Sequence, residues 1–396
     1  MSTQDELARV VRDHAGRLAG GLVSLLGDFS AAEDLVQDAV EAALRRWPVE
    51  GIPERPDAWL FTVAKRRGLD VLRRQQNYRA KLALLEPLEQ PPADDRLRLI
   101  FTCCHPALAR EAQVALTLRV VCGLTTAQIA AAFLASESAV AQRITRAKRK
   151  ITDAGIPYRI PRDDELSERL TEVLTVIYLL FNEGYLSSTA DRAHSRDLVD
   201  DAEWLTALLH GLLPNEPEVA GLLALIRLHR ARTAARFTPN LVLLQDQDRT
   251  LWDHAAIADA TALLTRTAHR FRAPAPYQLQ AAIAACHSEA PTWDDTDWPQ
   301  ILVLYDMLLA VQPSSVTCLH RAVALSYVRG SATALEELDR LSEELHAYPL
   351  FHATRAQFLR DLGRHAEARA ADERAADLTT NPAQLHLLHE RLGQKI

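Results

Sequence analysis

Hydrogen-bonding side chains recur at helical spacing near position 140. Ser138, Gln142, Arg146 and Arg149 follow one another at intervals of four, four and three residues, and Thr145 lies beside them. Because residues three and four apart share one face of a helix, a single surface presents all of these groups. Hydroxyl, amide and guanidinium groups bind base edges and phosphates. The pattern therefore predicts a surface that recognises nucleic acid.

A basic stripe with related chemistry lies earlier in the chain. Arg66, Asp70, Arg73 and Asn77 share one side of a predicted helix that starts near Asp57. Further cations widen this surface, namely Lys65, Arg67 and Arg74. Such a stripe can follow phosphates, and each neutralised phosphate adds salt-dependent affinity. An ordinary solvated face has the same pattern, so the stripe alone does not distinguish a DNA-binding surface from a solvated one.

A third polar face, rich in carboxylates, precedes the basic stripe. Asp34, Gln37, Asp38, Glu41 and Arg45 share one side of another predicted helix. The opposite side is apolar and comprises Val36, Val40, Ala43, Leu44 and Trp47. The polar side is therefore either a solvated surface or a docking surface for a basic partner.

Capping signals place these faces on helices. Ser30 followed by Glu33 predicts a capping box in which Ser30 caps the helix and Glu33 bonds back to its first turn. Thr125 and Gln128 form a second box of the same kind. Pro48 is expected to end the first helix, because proline lacks the N–H group that a helix interior needs.

The second capping box begins a predicted helix-turn-helix motif. Ile129, Ala130 and Phe133 are expected to pack inward, and a short turn around Leu134 follows. The inward face of the next helix is expected to comprise Val140, Ile144, Ala147 and Ile151. Small Ala130 lets the two helices cross closely, which leaves the opposite face of the second helix free to enter a groove of DNA.

Helical periodicity extends through the whole chain, and no stretch alternates with the period of a strand. We therefore expect an all-α protein. Prolines and polar stretches predict two small helical domains at 1–78 and 96–155, a linker at 79–95 and a long helical region at 163–396. Near 315–380, small residues recur with a period close to the roughly 34 residues of a tetratricopeptide repeat. An array of ordinary helical hairpins is the alternative.

Charge is unevenly divided along the chain. Residues 1–155 carry 22 Lys and Arg against 19 Asp and Glu, a net of +3. Residues 156–396 carry 23 against 33, a net of −10. The first part can approach nucleic acid, and the second is expected to be repelled by it.

Composition disfavours several other classes of protein. No apolar run reaches the roughly 18 residues of a membrane span, and the first residues lack the pattern of a signal peptide, so we expect a cytoplasmic protein. The odd count of five cysteines and the absence of a CxxC pair argue against a disulfide framework. Cys103-Cys104-His105 is interpreted as a set of small buried residues on a helix, with a metal site as the alternative. No P-loop, GxSxG, HExxH or dinucleotide motif occurs, so we expect no catalytic residue, metal or cofactor.

In their order along the chain, the motifs resemble those of RNA polymerase sigma factors of the extracytoplasmic-function type. Ala32–Asp38 is similar to the polymerase-binding segment, Pro56–Arg74 to the segment that reads and melts the −10 element, and Gly123–Lys150 to the −35-reading segment. The resemblance covers residues 5–152 and implies a non-enzymatic protein that brings the polymerase core to promoters. The alternative is a helix-turn-helix regulator that works without the polymerase core. This alternative explains Gly123–Lys150 but not the two earlier motifs.

The resemblance also implies roles for individual residues. Contacts with the polymerase core are expected from Asp34, Leu35, Gln37, Asp38 and Glu41. Contacts with promoter DNA are expected from Trp59, Lys65, Arg66, Arg67, Arg73, Arg74, Asn77, Ser138, Gln142, Arg143, Thr145, Arg146 and Arg149. The loop Pro48–Asp57 is expected to hold a base flipped out of the melted strand, and core packing is an equal alternative for Trp59.

The C-terminal region resembles the large helical extension of a subgroup of these factors. Phe181–Tyr185, Asp246–Arg249 and Pro276–Gln280 are interpreted as polar anchors between helices, with a ligand site as the alternative. An enzyme that uses carboxylates such as Glu183, Asp246 and Asp248 is a third hypothesis, with little support because carboxylates are common. We expect the extension to contact the sigma domains or the polymerase and to modulate activity, and we favour a role in holding the sigma domains in a productive arrangement over one in restraining them.

Overall fold

The computed structural model describes residues 18–23, 26, 29–74, 96–133, 135–186, 192–236, 240–268, 275–379 and 381–393. Across these residues the secondary structure is helical, with short 3₁₀ turns and no β-strand, which confirms the all-α prediction. They fall into two compact units. The first comprises the described residues up to Tyr185 together with Ala193–Leu205, and the second continues from Thr206.

Two helices of the first unit pack against each other. Helix α1 spans Phe29–Glu50 and helix α2 spans Pro56–Arg74. Gly68 brings them close together, since a Cβ atom at this position would lie 3.0 Å from Cδ1 of Leu35. At the other end of the pair, the rings of Trp47 and Trp59 meet edge to face with centroids 5.5 Å apart.

Two expectations for α1 were wrong. The capping box predicted at Ser30 is not among them, because the Ser30 side chain lies outside the described residues, and the Glu33 carboxylate binds side chains of other helices. Pro48 lies within the last turn, where it costs a single hydrogen bond, and the helix ends before Gly51, which takes a left-handed φ of 85°. Leu44 is 47% exposed and lies outside the core.

Four helices form the second sigma-like domain of the first unit: α3 (Arg96–Cys103), α4 (Arg110–Val120), α5 (Thr126–Ala132) and α6 (Glu137–Asp153). Their core includes Phe101 and the thiols of Cys103 and Cys104. Desolvation raises the pKa of both thiols, to about 12 for Cys104, so they remain protonated. The buried interpretation of this cysteine pair is therefore confirmed.

Helix α7 (Asp163–Leu186) groups with the first unit. The guanidinium of Arg169 donates to the backbone oxygen of Phe101 at 2.6 Å, and Arg110 pairs with Glu172 at 2.7 Å. The start of the C-terminal extension is thus joined to the second sigma-like domain by side chains of α7.

Helix α8 (Arg192–Leu212) contributes residues to both units. The second unit continues with α9 (Pro217–Arg230), α10 (Thr233–Arg236), α11 (His254–Ala268), α12 (Pro276–Glu289), α13 (Trp298–Val311), α14 (Ser315–Arg329), α15 (Ser331–Asp339), α16 (Ser342–Leu345), α17 (Pro349–Asp361), α18 (His365–Leu378) and α19 (Pro382–Arg391). Consecutive helices pack on one another along most of this unit.

Helices α14–α15 and α17–α18 form successive hairpins near the end of the chain. Gly330 and Gly363 occupy their turns with φ of 86° and 73°, a region that favours glycine. Ala356, Ala368 and Ala375 are buried between the helices, as their small size predicted. Both hairpins lie within the range 315–380, where the sequence predicted a repeat or an array of helical hairpins.

Candidate nucleic-acid and polymerase interface

The helix-turn-helix motif forms as the sequence predicted. Thr125 and Gln128 cap α5 reciprocally: the Gln128 N–H donates to Oγ1 of Thr125 at 3.1 Å, and the Thr125 N–H donates to Oε1 of Gln128 at 2.8 Å. Ser136 caps α6 by accepting from the N–H of Ala139 at 3.2 Å. Leu134, in the turn, lies outside the described residues.

Helix α6 places its apolar and polar faces as expected. Its buried residues are Val140, Ile144, Ala147 and Ile151, and its exposed ones include Ser138, Gln142, Thr145, Arg146 and Arg149, with Arg143 half-buried. Arg146 donates to Oε1 of Gln142 at 3.1 Å, so the two side chains are held together on the exposed face. Such a pair presents guanidinium and amide donors side by side, which suits base edges.

The carboxylates predicted to bind polymerase lie on the outer side of α1. Asp34 and Glu41 are exposed, whereas Gln37 and Asp38 are half-buried. Asp38 pairs with Arg67 of α2 at 2.8 Å. A residue expected to bind the polymerase is thus paired with one expected to bind DNA.

Leu35 differs from its neighbours in the predicted polymerase-binding set. It is only 6% exposed, and its side chain packs against α2 at Gly68. Its position next to Asp34 in the sequence led to the expected contact, but on a helix it points to the core side. Leu35 therefore stabilises the pair of helices and offers little surface to a partner in this conformation.

Helix α2 carries the start of the basic stripe. Arg66 is exposed, while Lys65 and Arg67 are half-buried. Trp59 is half-buried against Trp47, which supports core packing for part of its ring. The side chains of Arg73 and Arg74, and Asn77 as a whole, lie outside the described residues.

A buried ion network connects α1 with the helix-turn-helix domain. Glu33, only 3% exposed, accepts from Nε of Arg119 on α4 at 2.9 Å and from the ammonium group of Lys148 on α6. Lys148 also lies 3.4 Å from Asp34. Glu33 was overlooked as a contact residue, although its position three and seven residues before apolar Val36 and Val40 places a carboxylate near the apolar face, where it needs a cation.

Two of the three motifs singled out in the extension take part in contacts at helix ends. Arg249 donates to the backbone oxygens of His287 and Ala290, at 2.8 and 2.6 Å, near the C-terminal end of α12. At the other end of α12, Glu218 accepts from the N–H groups of Tyr277 and Gln278 at 3.0 and 3.1 Å. These contacts support the interpretation as polar anchors.

The Asp248 carboxylate accepts from the backbone N–H and the hydroxyl of Thr250, at 2.9 and 2.7 Å, and these bonds lower its pKa. A low pKa suits a turn-capping carboxylate and does not suit a general acid. Within the described parts of the chain, no cluster of three His, Cys, Asp or Glu side chains could hold a metal ion.

Comparison with known proteins assigns the first two domains. Residues 10–78 match the family model of sigma-70 region 2, and residues 98–151 match that of sigma-70 region 4. A probable ECF RNA polymerase sigma factor, SigI of Mycobacterium tuberculosis, is 28% identical over 169 residues, which are 39% of this chain and 58% of that protein. The chain belongs to the extracytoplasmic-function sigma factors. As a sigma factor, it binds the RNA polymerase core and directs it to promoter DNA.

The extension of this sigma factor is also shared with another protein. Uncharacterized protein R00370 of Rhizobium meliloti is 43% identical over 389 residues, which are 94% of this chain and 92% of that protein. Residues 169–268 match a family of unknown function, DUF6596. The sigma-70 families are non-enzymatic, whereas the family of the extension has no assigned activity. No solved structure matches the chain, and none of the helices in its described parts is long and apolar enough to cross a bilayer.

Proposed function

We propose that the exposed face of α6 reads the −35 element, that the basic side of α2 reads and melts the −10 element, and that the polar side of α1 binds the polymerase core. The observation that carries this assignment is the clean division of α6, whose four inward residues are buried while the amide, hydroxyl and guanidinium groups remain exposed. We place this activity in the cytoplasm, where the polymerase works.

We also propose that the helical extension modulates transcription through protein contacts. Its net charge of −10, counted from residue 156, disfavours direct contact with DNA. The bonds of α7 to the second sigma domain, through Arg169 and Glu172, support a mechanical coupling between extension and sigma domains.

Alanine at Arg146 or Arg149 is expected to weaken promoter binding by the holoenzyme. If the arginine reads a base, its replacement should cost about 1–3 kcal/mol of binding free energy. It should also relax specificity at one position, because bidentate bonds discriminate between bases. If the arginine contacts only phosphate, its replacement should lower the affinity for all promoter sequences alike and reduce the salt dependence of binding. Titration of holoenzyme on promoter variants at several salt concentrations separates the two cases.

Arg369→Ala is the matched control for Arg149→Ala. Both arginines are exposed and pair with a carboxylate four residues later, at 3.1 Å in Arg369–Glu373 and 3.2 Å in Arg149–Asp153. The control should bind promoters as the unsubstituted chain does. Equal affinities for Arg149→Ala, Arg146→Ala and the control would contradict the assignment of α6.

Charge reversal at Asp34 and Asp38, to lysine, is expected to weaken binding of the polymerase core about tenfold or more, because like charges would then face a basic docking surface. Asp34 is exposed and Asp38 is half exposed, so the fold should lose little stability. Core affinity measured by fluorescence anisotropy tests this, with Asp377→Lys on the exposed side of α18 as the control. Unchanged affinity in the double variant would argue that α1 does not bind the core through these carboxylates.

A further inference from the structure

Cationic side chains gather around the ring of Trp252 in the second unit. The guanidinium carbon of Arg249 lies 4.4 Å from the ring centroid, and that of Arg232 lies 5.9 Å from it. Trp252 and Arg232 are only 4% and 5% exposed. Arg249 donates through Nη1 to the backbone oxygens of His287 and Ala290, so its guanidinium is fixed in position. The cluster therefore holds two cations beside a buried indole.

Three nitrogen atoms of this cluster have no hydrogen-bond partner among the residues that the structure describes. They are Nη2 of Arg249, Nε1 of Trp252 and Nδ1 of His287, and each is shielded from solvent. A buried donor without an acceptor costs free energy, and the cost is larger when the donor carries a charge. Three such atoms in one cluster indicate that a bound molecule supplies the missing hydrogen bonds.

The electrostatic surroundings select the charge of this molecule. Desolvation and the cations Arg232 and Arg249 lower the pKa of His287 to about 4, so its imidazole is neutral at neutral pH. Desolvation and Arg232 also lower the pKa of His229, whose Nδ1 lies 2.9 Å from Nη2 of Arg232. Burial lowers the pKa of Arg249, and Asp295 opposes this shift without cancelling it. The cluster is therefore positive and favours an anion.

Aromatic rings next to the cluster define the rest of the ligand. The imidazole of His287 stacks on the ring of Trp293 with centroids 5.9 Å apart, and Trp298 meets the imidazole edge to face at 5.2 Å. Ligand sites combine such apolar walls with a few polar groups that fix orientation. A carboxylate has two acceptor oxygens and can bridge neighbouring donors, whereas a phosphate brings a second charge that costs more to desolvate. A carboxylate therefore fits this cluster better.

We propose that Arg249, Trp252 and His287 form a binding site for a small carboxylate with an aromatic or apolar body. Nη2 of Arg249 and Nε1 of Trp252 donate to the carboxylate oxygens, and Nδ1 of His287 donates in one of its two neutral tautomers. The half-buried ring of Trp293 contacts the body of the ligand. This inference does not depend on the proposed roles of the sigma domains, because binding is measured on the free chain.

Calorimetric titration of the full-length chain with benzoate tests the class of ligand. Benzoate should bind with a dissociation constant of about 1 mM or below, as expected for a ligand of its size. Benzamide keeps the ring but lacks the charge, and inorganic phosphate keeps a charge but lacks the ring, so both should bind at least tenfold more weakly. Equal affinity for benzoate and benzamide, or tighter binding of phosphate, would overturn the carboxylate site. So would the absence of binding by benzoate, pyruvate and acetate at roughly 10 mM.

The indole N–H signals of the protein locate the bound carboxylate. The chain has six tryptophans, so nitrogen-15 labelling of tryptophan gives six indole signals, and the signal that disappears in Trp252→Phe is that of Trp252. Added benzoate should shift this signal, because its N–H gains an acceptor. The signal of Trp47, whose Nε1 is also buried without a partner among the described residues, should stay in place. An unmoved Trp252 signal at saturating benzoate would overturn the site.

Two substitutions test the donors. Trp252→Phe and Arg249→Lys should each lower the affinity for benzoate about tenfold, because each removes a hydrogen bond to a charged acceptor. Trp47→Phe is the matched control, since Trp47 is 2% exposed and Trp252 4%, and it should leave the affinity unchanged. Thermal melting identifies folded variants. Unchanged affinity in both folded variants would overturn the proposal, and an equal loss of affinity in Trp47→Phe would do the same, because it would show that the loss is not specific to this cluster.

Discussion

Ending the chain after Ile160 is expected to abolish transcription and to destabilise the sigma domains themselves. This truncation removes α7, which buries Leu170, Val173, Leu174, Ile177 and Phe181. Burial of each such side chain contributes about 1.5–3 kcal/mol, so their loss is comparable with the roughly 5–15 kcal/mol that stabilises a typical domain. Loss of activity in this variant would therefore report unfolding as much as regulation.

A chain that ends after Leu213 separates these two effects. It keeps α7 and α8, together with the bonds of Arg169 to Phe101 and of Glu172 to Arg110, but lacks the helices from α9 onward. We expect its run-off transcription from a cognate promoter to fall at least tenfold while its thermal melting still shows folded sigma domains. That result supports a positive role for the second unit.

Other outcomes of the same comparison have clear meanings. Higher activity in the chain that ends after Leu213 would show that the second unit restrains the sigma domains, which reverses the sign proposed above. Full activity would show that the unit serves a purpose other than initiation at this promoter. Full activity and an unchanged melting temperature in the chain that ends after Ile160 would contradict the role given to α7.

Local signals were sufficient to predict the buried and exposed faces of α6. A capping box needs only residues three apart, and the faces of a helix follow from its period, so Thr125, Gln128 and the buried Val140 were placed correctly. The same reasoning failed at Pro48, because proline in the last turn of a helix costs too little to end it. It also did not foresee that Leu35 is buried, although neighbours in sequence point to different sides of a helix.

Contacts between distant parts of the chain were beyond sequence reasoning. Glu33 binds Arg119 and Lys148, which follow it by 86 and 115 residues, and nothing in a single sequence relates such positions. Helix α7 groups with the first unit, and its Arg169 bonds to the backbone of Phe101, 68 residues earlier. Both contacts join parts of the chain that are far apart in sequence, whereas the polar and apolar faces of each helix were evident from its own residues.

Replacing Ile52, Pro53 and Glu54 by Gly-Ser-Gly is expected to block promoter opening while it leaves duplex binding intact. These residues lie in the loop between α1 and α2, which is confined to 51–55 because α1 continues through Glu50. By resemblance, the loop holds a base flipped from the melted strand, and unstacking a base costs a few kcal/mol that its pocket must offset. The substitution keeps the length of the chain. It also leaves the contact between the rings of Trp47 and Trp59 unchanged, so region 2 should remain folded.

Permanganate reactivity of unpaired thymines measures the opening. Loss of a pocket that contributes about 2 kcal/mol should reduce the open complex roughly 30-fold, whereas affinity for double-stranded promoter should stay within about twofold. A promoter with a pre-melted −10 region supplies the decisive control, because its bases are already unstacked and the variant should recover most of its transcription on it. Normal permanganate reactivity on duplex promoter would show that the loop does not hold the flipped base, and failure on both templates would show that the substitution damages a step other than melting.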